Sequence, residues 1–207
     1  MTHHNHEAVF ASAWNREGHT SIEWDPLDIN QVLADEYDSG GGLALTRTQL
    51  WDMEVRKAAR PDLFIPGVIR AGTARSWGRR VLNSGDELFI RVSEQRLWLQ
   101  PETYGTVIEA CYLNHAKQRV TFIGLPEIED EAGQKIIASP AQPLFHVVHG
   151  VIGEEETPLN TWRIVHLGSD ERGELSKRFK RMEAASGPPE YVERYIEDVL
   201  NRPLDRK

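Results

Sequence analysis

The chain has 207 residues, 40% hydrophobic and 27% charged, which suits one globular domain with a real core. Its 24 Lys and Arg stand against 32 Asp and Glu, a net charge of −8, so the basic footprint of a nucleic-acid binder is missing. No apolar run approaches the roughly 20 residues that cross a bilayer. The N-terminus lacks the regions of a secretion signal, and one cysteine excludes an internal disulfide framework, so a cytoplasmic protein is expected.

In chain order, residues 7–14 alternate loosely and are expected to form a first strand. Residues 16–42 read as an insertion with one short helix, started at Pro26 and apolar at Leu27, Val32 and Leu33. The stretch 45–66, LTRTQLWDMEVRKAARPDLFIP, reads as a capped helix with an extended exit. Thr46 and Gln49 are spaced for a capping box, and Trp51, Val55 and Ala58 form an apolar stripe. Pro61 ends the helix, and Pro66 biases Ile65 toward extended geometry.

After Pro66 the period drops to two. Strands are predicted at 68–73, 79–82, 87–92, 96–99, 104–113, 119–123, 144–152 and 161–167. Residues 124–143, acidic and proline-rich, read as a long loop. Leu175, Phe179 and Met182, then Val192, Ile196 and Val199, give a C-terminal helix over 170–201 that Gly187-Pro188-Pro189 breaks. One α+β domain over 1–207 follows: a curved antiparallel sheet around a long C-terminal helix, with a cleft between them.

The run T-R-x-Q-x-W at 46–51, Lys57-Ala58, Pro61 and Phe64-x-Pro66, together with ELSKRFKRMEAA at 174–185, resembles the AtaL-like branch of the SRPBCC, or START/Bet v 1-like, superfamily. The resemblance spans roughly 43–200 and is specific only at the first and last helices. It implies a helix-grip fold with a deep, mostly apolar internal cavity that takes a hydrophobic small molecule. Several superfamily members act as cyclases, aromatases or condensing enzymes in natural-product pathways. The branch supplies no catalytic motif to carry over. Three departures fall where this fold shapes its cavity mouth: the insertion at 16–42, the loop at 124–143 and the Gly-Pro-Pro break.

Candidate chemistry rests on Glu109, His146, His149, Tyr104 and Arg91. In a strand over 104–113, Val107, Glu109, Cys111 and Leu113 share one face, and Ile108, Ala110 and Tyr112 the other. On an apolar face Glu109 has its pKa raised and serves as an acid or base; alternatively it pairs with Arg91 or Arg96 across strands. His146 and His149, three apart, point to opposite faces, so one at most faces a cavity, as a proton shuttle or as a structural group. Trp98, Tyr112, Trp162, Phe179 and Met182 are the candidate ligand contacts, with plain packing the competing assignment. Cys111 reads as a small hydrophobe. His3, His4 and His6 are the sole histidine cluster, and a metal is not expected; phosphate loops and hydrolase elbows are absent. The sequence thus points to a cofactor-independent cyclase, isomerase or dehydratase of secondary metabolism acting on an apolar intermediate, or to a non-catalytic carrier. It leaves the oligomeric state open.

Overall fold

The computed structural model describes residues 5–38, 42–183 and 190–207. The first element is a helix, α1 (His6–Trp14), where a strand was expected. Asn5 caps it by accepting from the Ala8 amide, and Phe10 and Ala13 are its buried residues. The alanine-rich composition favours helix over extended chain, and the loose alternation is incidental to it. The insertion follows as β1 (Thr20–Glu23), β2 (Leu27–Asp28), α2 (Ile29–Glu36) and β3 (Tyr37–Asp38). Asp28 caps α2 and accepts from the Gln31 amide.

The helix predicted from Thr46 is α3 (Arg47–Ala59), with the capping box in place. Its buried face is wider than the predicted stripe and includes two charged residues, Glu54 and Lys57. Pro61 does not open an extended exit. It sits at the first position of a helical turn, α4 (Pro61–Phe64), where its missing amide is harmless.

The main strands are β4 (Arg75–Val81), β5 (Glu87–Arg96), β6 (Tyr104–Asn114), β7 (Arg119–Gly124), β10 (Phe145–Gly153) and β11 (Pro158–His166). Residues 68–73 contribute only an isolated bridge, Ile69 to Gln95. The loop at 124–143 contains a hairpin, β8 (Glu127–Glu129) with β9 (Lys135–Ile137). Asp130 nucleates its turn by accepting from the Ala132 and Gln134 amides, and Gly133 supplies the positive φ of 75°. The large sheet runs β1-β11-β10-β7-β6-β5-β4, all antiparallel, with β2 also on β11. It is curved but not closed.

Alternation gives the sheet two faces. The convex face carries Ile123, Val148 and Val165, and α1 covers it through Phe10 and Ala13. The concave face carries Phe89, Cys111, Leu113, Val120, Phe122, Val151 and Trp162, packed with α3 and the C-terminal helices. Those helices are α5 (Glu174–Glu183) and α6 (Glu190–Arg194), the latter continuing as a π-helical turn (Tyr195–Val199). The predicted Gly-Pro-Pro break at 187–189 lies outside the described residues. A short β12 (Asp205–Arg206) pairs with β3 and ties the C-terminus to the insertion. Among the described residues no helix is long and apolar enough to cross a membrane.

Candidate functional site

The concave face holds a buried polar network. Glu54 of α3 is 0% exposed. Lys57, one turn on, donates to its Oε1 at 2.7 Å. Asn160 of β11 donates to the same oxygen at 3.0 Å, and His149 of β10 places Nδ1 3.3 Å from Oε2. Asn160 accepts from the Tyr191 hydroxyl at 2.9 Å, and the Tyr191 ring lies 3.7 Å from the Lys57 nitrogen. Side chains from α3, β10 and β11 therefore meet on one carboxylate, and Tyr191 joins them through Asn160.

A second pair lies on the same face. Arg91 and Glu109 are directly opposite in the β5–β6 register, and Arg91 donates from Nε at 2.9 Å and from a terminal nitrogen. Its other terminal nitrogen donates to the Ala58 carbonyl at 2.8 Å, and its guanidinium lies 4.6 Å from the centre of the Phe122 ring. Of the two expected partners for Glu109, Arg91 is the one observed; Arg96 is opposite Tyr104.

Burial and charge set the protonation states. Desolvation alone would raise the Glu54 carboxyl, but Lys57 and His149 outweigh it and hold the group at about 2. Glu54 is thus a carboxylate, so His149 donates from Nδ1, and Nε2 keeps its lone pair. Burial depresses the Lys57 ammonium despite Glu54. Burial likewise depresses His149, helped by Lys57 and opposed by Glu54. Burial pushes the Cys111 thiol up to about 12, so it is no thiolate at neutral pH.

A pocket of about 50 Å³ opens on this face between β5, β6, the start of β10 and residues 138–144. Gln95, Trp98, Glu109, Phe145 and Val147 are among its walls. His149 follows Val147 on the same face, and its side chain is 20% exposed. Aromatic rings flank it: Phe122 at 5.3 Å and Trp162 at 6.2 Å. The volume is about a third of the ~150 Å³ that admits benzene. Among the described residues this small pocket is what corresponds to the internal cavity implied by the resemblance, and Trp162, Phe179 and Tyr191 are buried nearby.

The expected site residues divide accordingly. Glu109, Arg91 and His149 share the concave face. His146 faces the convex side, buried, with Nδ1 accepting from the Gly124 amide at 3.2 Å. Tyr104 lies near the sheet margin between the guanidinium groups of Arg70 (4.4 Å) and Arg96 (4.8 Å). Tyr112 is also on the convex side; its hydroxyl donates to Asp86 at 2.7 Å and its ring stacks on His6. Trp98 and Phe179 touch each other, with ring centres 4.8 Å apart. Trp162 packs on Trp24, Tyr191 and His149. Met182 is 36% exposed and points away from the core. Glu54, Lys57, Asn160 and Tyr191 were not anticipated. The signal for the first two was present, since Glu54 and Lys57 fall among Leu50, Trp51 and Ala58 on one helical face. Among the described residues, no group of three or more His, Cys, Asp or Glu is placed to hold a metal. His3 and His4 lie outside them.

His146, which is buried, and His149, which is partly buried, make stability acid-sensitive. Burial depresses both His146 and His149 below the ordinary 6.5. As pH falls the unfolded chain takes up these protons first, so stability drops from about pH 6.5 downward. Each group contributes at most about 1.4 kcal/mol per pH unit. The urea midpoint is expected to fall steadily from about pH 7 to about pH 5, with a shallower slope in His146→Asn.

The arrangement defines a helix-grip architecture: an open, curved antiparallel sheet whose concave face is closed by C-terminal helices. No protein-family model matches the chain, and no curated protein matches it. Solved structures do. The ZhuI aromatase/cyclase from Streptomyces sp. R1128 superposes with a TM-score of 0.52 at 8% identity, covering 87% of this chain and 96% of that one. The di-domain aromatase/cyclase StfQ of the steffimycin biosynthetic pathway gives 0.46 at 12% identity, over 87% of this chain and 45% of that one. Major latex-like protein 151 from Panax ginseng gives 0.43 at 12%, over 81% and 97%. The ZhuI likeness establishes the Bet v 1-like helix-grip fold. None of these matches singles out the AtaL-like branch.

Proposed function

We propose that the chain binds a hydrophobic natural-product intermediate between the concave face and the C-terminal helices, and promotes its cyclisation or dehydration. The observation that carries this is His149: oriented by a buried carboxylate, walled by aromatic rings, and still partly exposed. With Nδ1–H held by Glu54, Nε2 is free to take a proton from a carbon beside a carbonyl. The imidazolium formed is stabilised by Glu54 and can return its proton to a departing hydroxyl, which leaves as water. Arg91 and Lys57 place positive charge on the same face, where an enolate would develop. Orientation of a flexible chain in such a site contributes several kcal/mol by itself. Glu109 lines the pocket and keeps Arg91 in place.

The ZhuI aromatase/cyclase has the same fold, which agrees with this reading. The test is incubation of the pure protein with unstable polyketide or terpenoid intermediates, comparing products with and without it. A changed distribution that reverts with His149→Ala supports the proposal; identical distributions leave only a carrier.

A further inference from the structure

The Glu54 carboxylate uses its two oxygens differently. Oε1 accepts from Lys57 and from Asn160, whereas Oε2 faces His149 Nδ1. Asn160 is wholly buried. Its nitrogen sits between two acceptors, Glu54 Oε1 and the Gly150 carbonyl, each at 3.0 Å. That fixes the orientation of the amide and turns its oxygen toward Tyr191, whose hydroxyl donates to it at 2.9 Å. A chain of donors thus runs from Tyr191 through Asn160 to Glu54. It ends on the carboxylate oxygen that His149 does not use.

In a low-dielectric interior each such bond polarises the next. A donor on Oε1 draws charge away from Oε2, and charge on Oε2 is what favours a protonated imidazole. The charged groups that act on His149 are Glu54 and Lys57 of α3 and Arg91 of β5. Tyr191 of α6 is the remaining titratable member of the network. Burial, then the charge of Glu54, keeps its hydroxyl protonated, so it stays a donor at neutral pH. Tyr191 is also one of the two buried residues of α6, so this hydroxyl ties the placement of that helix to the network.

We infer that Tyr191 and Asn160 are positioning residues for the proposed base: α6, through the Tyr191 hydroxyl, holds the Asn160 amide on Glu54 Oε1, and so sets how much carboxylate charge is left for His149. The inference rests on the reading of His149 as the base, and it adds that the seating of α6 tunes that base.

The experiment is an NMR titration of the His149 ring in the full chain, its signals identified by their loss in His149→Ala. Tyr191→Phe keeps the ring 3.7 Å from the Lys57 nitrogen and removes only the hydroxyl. It is expected to raise the His149 midpoint by about 0.5 pH unit, about threefold in proton affinity. Asn160→Leu removes the donor itself and raises the midpoint by about one unit, or about tenfold. Adding Tyr191→Phe to Asn160→Leu gives no further shift, because the hydroxyl acts only through the amide. Midpoints that stay within about 0.1 unit of the wild type overturn the inference. So does a Tyr191→Phe shift that persists in the Asn160→Leu background, since that effect belongs to packing. If Asn160→Leu does not fold, the wild type decides. There the side-chain amide protons of Asn160 shift through the His149 midpoint, and flat signals overturn the inference. None of these titrations needs a substrate. A His149→Ala protein with unaltered products defeats the catalytic reading and leaves the shifted midpoints standing. Unmoved midpoints in a protein whose products do depend on His149 defeat only the role of Tyr191 and Asn160.

Discussion

Lys57→Met lowers the unfolding free energy by about 3–5 kcal/mol, measured by urea denaturation at neutral pH. Methionine fills the lysine volume, so the loss is electrostatic. Glu54 is wholly buried, and without the ammonium it keeps only the Asn160 amide and the His149 N–H as donors. An uncompensated carboxylate in that interior is far more expensive than the pair it came from. Two further measurements separate this cause from lost packing. Glu54 titrates near 2 beside Lys57 and rises when the ammonium is gone. The variant protonates Glu54 earlier on acidification, so the gap to wild type narrows as pH falls through the ordinary carboxyl value of 4.5. The double change Lys57→Met, Glu54→Gln recovers at least about 2 kcal/mol of the single-variant loss. A loss below about 1 kcal/mol, or no recovery in the double variant, contradicts a stabilising network.

Features fixed by neighbours in sequence were legible; those fixed by docking were not. The capping box at Thr46 and Gln49 is local, and it forms as read. The two faces of β6 follow from alternation alone: Glu109 and Cys111 share the inward face and Tyr112 lies on the other, as grouped, but that puts Tyr112 on the convex side and not among ligand contacts as expected. The opposite orientations of His146 and His149 follow from the same rule. Arg91 was a candidate partner for Glu109 because adjacent antiparallel strands bring it opposite. Pattern failed where two periods fit a short segment, as at α1, where the Asn5 cap and alanine content select helix. It failed again at Pro61, which terminates one helix and starts the next turn. The Glu54 network was illegible for a different reason. Its partners lie 95 and 106 residues away, and only the docking of α3 on β10 and β11 brings them together. The burial of Phe179 and Tyr191 is likewise tertiary, set by the docking of the C-terminal helices on the sheet.

His149→Ala reduces turnover of a responsive substrate by about 10²–10⁴-fold, the usual worth of a positioned acid/base. Lost activity alone does not distinguish a catalytic histidine from a structural one, so the pH profile is the deciding readout. On the proposed mechanism, wild-type activity needs neutral His149 and falls on the acid side as that group protonates. Burial sets its pKa low, Lys57 lowers it further, and Glu54 raises it. Glu54→Gln therefore moves the acid limb of kcat/KM to lower pH. Lys57→Met moves it to higher pH, because Glu54 is left to stabilise the imidazolium without competition. Two neighbours that never touch substrate thus shift one profile in opposite directions. Glu54→Gln also removes the acceptor that holds Nδ1–H, so its kcat falls more than its substrate affinity. If both variants keep the wild-type acid limb, the titrating group is not His149, and the proton transfer belongs to another residue of the concave face, with Glu109, which lines the pocket, the next to replace.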